Sequence, residues 1–429
     1  MGTTARVPRL LAIMGSGETS PTMVKTHREL LGRLGPPPVP AVVLDTPYGF
    51  QANAADLAGR AVEYFRESVG QAIEVAHLLA ADGDPLDYET MLARLRAARY
   101  VFSGPGSPTY ALRQWRATLV PKMLAEKLHS GGCVTFASAA ALTLGVATVP
   151  VYEIYKAGEE PRWIEGLDLL GEIGIRAAVI PHYNNAEGGT HDTRFCYLGE
   201  SRLARLERDL PPGAFVLGVD EHTALVLDLD AGSASVSGLG VVTVRRGGAS
   251  STVATGTTMP LDDLLALGTG AGAGGARRPS SPPSTAEDAA PARTAAGTGT
   301  SPLLGEVARL ETAFAAAVDA ADVGEAVRAV LALEDELVSW SRDTLQSDEL
   351  DRGRAALRGM IVRLGQLAHT GARDPAEAVR PFVDALLAQR EVARSAKRWA
   401  DADAVRDVLV DLGVEVRDSP EGTTWRLVS

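Results

Sequence analysis

The sequence predicts an α/β protein, a mostly parallel sheet with helices on both faces, followed by a separate, mainly α-helical domain with a small terminal hairpin. Three observations carry this expectation. Short apolar runs alternate with amphipathic stretches over the first part of the chain, the pattern of strands buried on both faces with helices between them. A stretch dominated by Gly, Ala, Ser, Pro and Thr, 268–302, then interrupts the pattern. Beyond it, apolar residues recur at three-four spacing, the mark of helices, until near residue 412.

Taken in order, LLAIMG (10–15), AVVLDTP (41–47), YVFSG (100–104) and CVTFAS (133–138) read as buried strands. DLAGRAVEYFRESV (56–69) and YALRQWRATLVPKMLAEKLH (110–129) read as helices between them. The stretch ALVLDLDAGSASVSGLGVVTVRRGG (224–248) changes to antiparallel strands joined by tight turns. The low-complexity stretch cannot bury enough surface to offset its ordering entropy. A flexible linker is therefore expected over 268–302, between a domain at 1–267 and another at 303–429. In the second domain, 333–345, 353–371 and 379–413 carry the helical spacing, and Gly413 suits a helix C-cap. VEVRDSPEGTTWRL (414–427) reads as a hairpin about a Ser-Pro-Glu-Gly turn.

The 429 residues carry a formal net charge of −12, with 45% hydrophobic and 22% charged residues. That balance suits a soluble globular protein and argues against coating a nucleic acid through bulk electrostatics. Cys133 and Cys196 are too few for a disulfide scaffold or a structural zinc site, and are expected to be reduced thiols. No apolar run reads as a signal peptide or a membrane span, so a cytoplasmic protein without a membrane partner is expected. Neither a cofactor nor a metal is expected, and the oligomeric state is left open.

Acyl-transfer chemistry needs a nucleophile, a base, a carboxylate to orient the base, and donors for an oxyanion. Ser138 closes an apolar run and opens the small-residue stretch AAALTLG, the context of a nucleophile elbow on a strand-to-helix turn. His182 in VIPHYNN and Glu221 in VLGVDEHTALVLD stand at the ends of two further apolar runs. Open α/β sheets hold their sites at the carboxyl ends of strands, so the three are expected on one sheet edge. GSGE (15–18) lacks the spacing and lysine of a phosphate loop and reads as a tight turn. Glu187, His191 and Asp192 lie near His182 in sequence and read as a solvated polar loop rather than a metal site.

YVFSGPGSPTYALRQW resembles the glycine-rich loop of the serine peptidases related to dipeptidase E and cyanophycinase, α/β proteins of the class I glutamine amidotransferase-like fold. VTFASAAALTLG stands where that family has its Gly-x-Ser-Ala-Gly-Ala motif, and IPHYNNAEGGTHDTRFCYLGESRLARLE and VLGVDEHTALVLD resemble its histidine and acidic stretches. The resemblance covers roughly residues 8–260 and implies Ser138 as nucleophile, His182 as base and Glu221 as orienting acid. It implies backbone N–H groups of Gly106 and Ala139 as the oxyanion hole. Phe136 and Ala140 depart from the family's glycines, and Pro105 brings no N–H to its glycine triplet. The bulk of Phe136 is the departure that bears most on the elbow.

LLAQREVARSAKRWADADAVRDVLVDLGVEVRDSPEGTTWRL (386–427) resembles the end of bacterial cysteinyl-tRNA synthetases. That resemblance implies contact with a tRNA anticodon region, tRNA-Cys in particular, through Arg394, Trp399, Asp403 and Asp418. Arginine supplies phosphate or base-edge donors, tryptophan a stacking face, and carboxylates accept from base amines. The ATP-binding signatures and zinc ligands of those enzymes have no counterpart here, so cysteine activation is not expected. The expectation is a serine hydrolase acting on an amide or ester bond and tethered to a tRNA-recognition module. Its substrate would be an aminoacyl or peptidyl group carried on tRNA. An inactive hydrolase-fold adaptor that binds tRNA and an amidotransferase-like subunit are the alternatives.

Overall fold

The computed structural model describes residues 6–187, 191–269, 301–320, 322–343, 348–371, 375–419 and 422–428. The main sheet is built in chain order from β1 (Arg9–Met14), β2 (Ala41–Leu44), β3 (Glu74–Ala76), β4 (Tyr100–Ser103) and β5 (Gly132–Ala137). A short hairpin follows, β6 (Ala147–Thr148) and β7 (Ile164–Glu165), then β8 (Ala177–Ile180) and β9 (Phe215–Val219). The run continues through β10 (Thr223–Asp228), β11 (Ser233–Gly238), β12 (Val241–Arg246), β13 (Ala249–Ala254) and β14 (Thr258–Pro260).

The strand order of the large sheet is β14-β11-β10-β1-β5-β4-β2-β3. From β1 to β3 every pairing is parallel, and β10, β11 and β14 extend the sheet antiparallel from β1. Period-two alternation explains the continuous apolar runs. Leu11, Ile13, Val134 and Phe136 face one core, while Leu10, Ala12, Cys133 and Ala137 face the other. Helices therefore cover both faces, as the sequence predicts.

A second sheet of order β13-β12-β9-β8 was not anticipated. It corrects the expectation of one sheet edge for the site: β5 leads to Ser138 from the large sheet, whereas β8 and β9 lead to His182 and Glu221 from the small one. The two sheets share a core, since Ala177, Val179, Leu217 and Val219 join the cluster that holds Val134 and Phe136.

Local breaks differ from the sequence reading at two places. The stretch 110–129 is two helices, Pro108–Arg116 and Val120–Ser130, because Pro121 starts a new helix within its first turn. The stretch 379–413 is likewise two helices, Pro375–Ser395 and Trp399–Asp411, broken where Lys397 takes φ 57°. Gly413 follows the second helix at φ 77°, as a C-terminal glycine should. Gly268 and Thr269, the first residues of the expected linker, belong instead to the last turn of the helix Leu261–Thr269, where Gly268 is buried, and 270–300 lie outside the described residues.

Contacts divide the chain into two compact units, Met1–Gly305 with Asp335–Leu350, and Glu306–Glu334 with Asp351–Ser429. Asp335–Leu350 thus groups with the first unit, although the sequence boundary puts it in the second domain. In the second unit, β15 (Val414–Ser419) and β16 (Gly422–Leu427) form the terminal hairpin. Val414 and Val416 pack with Val383 and Leu409 in a small core that the helices 375–395 and 399–411 share. Residues 420 and 421 of the expected turn lie outside the described residues.

Candidate active site

Strand β5 ends at Ala137, and Ser138 turns the chain at φ 49° into the short helix Ser138–Leu142. A side chain at positive φ costs on the order of 1–2 kcal/mol, which the surrounding packing must hold. Alanines at 139–141 keep the turn free of bulk, and Ala140 N–H donates to the Gly104 carbonyl at 3.1 Å. Phe136, the bulky departure from the resembled motif, does not crowd the turn. Its ring points into the core and stacks on Trp115, centroids 5.5 Å apart.

His182 follows β8 and also has positive φ, 47°. Its carbonyl accepts from the N–H groups of Asn185 and Cys196, and the next N–H, of Tyr183, donates to the Val219 carbonyl at the end of β9. The histidine turn is thereby fixed to the strand that delivers Glu221. Ser138 Oγ lies 2.9 Å from His182 Nε2, and His182 Nδ1 lies 2.8 Å from Glu221 Oε1. Ser138 and His182 are buried, and Glu221 is partly so.

Two residues that the sequence reading quoted without assigning a role support the acid. Asn184 Oδ1 accepts the Glu221 N–H at 2.8 Å, and Asn185 Nδ2 donates to Glu221 Oε1 at 3.3 Å. The paired asparagines that follow Tyr183 in VIPHYNN were the available signal.

Burial opposes a charged imidazolium, but the hydrogen bond and charge of Glu221, with Glu18 and Glu187 beyond it, hold the His182 pKa above its usual value. Burial likewise opposes a charged Glu221, yet the bonds from His182 and Asn185 keep its pKa below the usual range. Glu18, from the GSGE turn, is fully buried, and among the described residues neither carboxyl oxygen has a hydrogen-bond partner. Burial, with the charge of Asp343, pushes its pKa up to about 7. The turn itself is tight, as read. A Cβ at Gly15 would meet the Asp220 carbonyl oxygen at 2.0 Å, and one at Gly17 would meet His222 at 2.1 Å.

Ser138, Ala139, His182 and Gly106 line a cavity of about 410 Å³. Gly106 has φ 132°, and a Cβ there would lie 2.1 Å from the Pro47 carbonyl oxygen, so only glycine fits. Among the described residues, neither the Gly106 nor the Ala139 N–H has a hydrogen-bond acceptor, which leaves both donors for an oxyanion. Cys196 also lines the cavity, but burial pushes its thiol pKa far up, so it is no competing thiolate nucleophile. Of the loop weighed as a metal site, Glu187 takes the Tyr197 hydroxyl at 2.6 Å, Asp192 is held by Arg194, and His191 is exposed against Tyr155.

In the second unit the four residues expected at an RNA contact do not share one condition. Asp418 accepts from the two terminal guanidinium nitrogens of Arg390 at 2.8 and 2.7 Å, from Arg394 at 2.9 Å and from the Thr423 hydroxyl at 2.8 Å. Arg394 and Asp418 are therefore joined in a clamp between helix and hairpin. Trp399 is 58% exposed at the start of its helix, and Asp403 is exposed one turn on.

Comparison with known proteins adds to this second unit. Residues 377–426 match the cysteinyl-tRNA ligase anticodon binding domain. The cysteine–tRNA ligase of Streptomyces coelicolor is 38% identical over 133 residues, 28% of this chain and 21% of that enzyme. The ligase of Yersinia pseudotuberculosis serotype IB is 59% identical over 44 residues, 10% of each chain. The chain thus spans 21% and 10% of the length of these two relatives. Among solved structures, a peptidase from an acI-B1 actinobacterium aligns with a TM-score of 0.48 and 21% identity, over 59% of this chain and 98% of that one. A peptidase E-like protein from Listeria monocytogenes EGD-e aligns at 0.37 and 15%, over 54% of this chain and 100% of that one. Among the described residues no helix is long and apolar enough to cross a membrane.

Proposed function

We propose that the first unit is a serine hydrolase acting on an amide or ester bond, and that the second recognises tRNA. The observation that carries the hydrolase reading is the line Ser138–His182–Glu221, joined at 2.9 and 2.8 Å and opening on a cavity with two N–H donors that have no acceptor among the described residues. In this reading Ser138 Oγ bonds to the acyl carbon while His182 Nε2 takes the hydroxyl proton. Glu221 holds the imidazole through Nδ1 and stabilises its charged form. The tetrahedral oxyanion is held by the N–H groups of Gly106 and Ala139. Collapse breaks the bond to the leaving group, which receives the proton from His182. Water then adds to the acyl carbon, gives its proton to His182, and releases the acid as Ser138 recovers its own.

The match over 377–426 supports RNA recognition by the second unit, with exposed Trp399 as a base-stacking face. A hydrolase and an anticodon-recognition module in one chain point to an acyl group esterified to tRNA, aminoacyl or peptidyl, with tRNA-Cys as the RNA. The two cysteines are unpaired, in keeping with a cytoplasmic protein. The inactive-adaptor reading loses its main motive, because Phe136 is packed away from the turn. The test is hydrolysis of cysteinyl-tRNA and peptidyl-tRNA by the full chain. Ser138→Ala should lower turnover by at least about 10³-fold while leaving tRNA binding intact. Unchanged turnover in that variant would sink the reading.

A further inference from the structure

The cavity beside Ser138 holds one carboxylate among its described lining residues that the serine chemistry does not use, Glu187. One of its oxygens, Oε2, accepts the Tyr197 hydroxyl at 2.6 Å; the other has no partner among the described residues. The Tyr197 ring lies 6.5 Å from the His182 imidazole and 4.8 Å from the ring of Tyr155. Glu187 is therefore fixed on one side by a tyrosine and open on the other, close enough for its charge to act on His182.

We propose that Glu187 binds the free α-ammonium group of an aminoacyl substrate whose carbonyl Ser138 attacks; this rests on the serine-hydrolase reading above. The placement follows from covalent structure. In an α-amino acid the ammonium sits on the carbon next to the carbonyl, so its partner must lie beside the nucleophile and base without belonging to them. Tyr155 and Tyr197 add ring faces that attract a cation. An N-acylated or peptidyl group has no ammonium to offer, and would leave the exposed Glu187 carboxylate paired with the Tyr197 hydroxyl and water, without the gain of a charged partner. The subsite thus selects aminoacyl over peptidyl esters, and Glu187 sets specificity without taking part in bond making.

The test uses the purified full chain with phenylalanine ethyl ester and N-acetylphenylalanine ethyl ester, beside labelling of Ser138 by a fluorophosphonate. The free-amine ester should have the higher kcat/KM, by roughly ten- to hundredfold, the worth of one hydrogen bond to a charged group. Glu187→Gln should bring the ratio close to one, and Glu187→Asp should retain part of it. The preference should also fade as the pH rises through the titration of the α-amine, at about 7–8. Labelling of Ser138 with no preference for the free amine, or with a preference that survives Glu187→Gln, overturns the subsite while the hydrolase reading stands. Absence of both labelling and ester hydrolysis overturns the two together.

Discussion

Ser138, His182 and Glu221 in the first unit, and Arg390, Asp418 and Arg394 in the second, are both lines of hydrogen-bonded side chains; they differ in how they end. The clamp closes on itself: Asp418 accepts from two guanidinium groups and a hydroxyl, and joins helix 375–395 to strand β15. The first line ends on a hydroxyl at a strained residue that faces a cavity. The Asp418 carboxylate has both its oxygens hydrogen-bonded within the fold, although the buried Arg390 Nε has no partner among the described residues. Groups arranged for a substrate keep a valence open, here Ser138 Oγ with the N–H groups of Gly106 and Ala139. The same contrast separates Asp418 from Glu187, one of whose oxygens is unpartnered among the described residues.

The largest effect that sharpens this contrast is expected from Glu221→Gln. The loss of the carboxylate should lower kcat by roughly 10²–10⁴-fold, since the imidazole loses its orientation and its counter-charge. The pH profile supplies a second reading. His182 must be neutral to accept the proton, and its pKa is held above the usual value, so activity falls as the pH drops through that raised value. Without Glu221 the pKa falls, and the acid limb of kcat/KM should move to lower pH. A limb that stays in place would remove Glu221 from the relay.

A smaller effect is expected from Arg390→Ala, read as stability rather than rate. It strips Asp418 of its bidentate partner and should destabilise the second unit by about 2 kcal/mol, less than for a fully buried pair because Asp418 keeps some contact with water. Denaturant titration reads the change, and ester hydrolysis by the first unit should be unaffected. The hydrogen bond from Arg390 holds the Asp418 carboxyl well below the usual carboxylate range. Its contribution is thus fully present above the ordinary aspartate pKa and is lost progressively as the pH falls from that value through the lowered one.

The smallest stability effect belongs to Trp399→Ala. An exposed side chain should cost no more than about 0.5 kcal/mol, whereas tRNA affinity, followed by fluorescence titration, should fall. Unchanged affinity would leave the second unit's polar groups as structure alone.

Much of this was legible in the sequence because it rests on local pattern. Ser138 was marked by the small residues after an apolar strand, and Gly413 by its place after a helical run. The sheet to which β8 and β9 belong was not legible, since their apolar runs look like those of β1 and β5 and only non-local pairing distinguishes them. Nor was the fate of Phe136, because a strand's alternation sends residue 136 to the core while residue 138 turns out of the strand altogether. Glu18 could be read only as part of a turn. Its burial depends on the packing of several segments that lie far apart in the chain.

The central claim is that Ser138 is an activated nucleophile, and reaction of the purified full chain with a fluorophosphonate probe tests it most directly. The account predicts labelling of the wild type that disappears in Ser138→Ala and falls sharply in His182→Ala, with all three proteins sharing one circular dichroism spectrum. Folded wild type that takes up no label, or label that persists in Ser138→Ala, would contradict it.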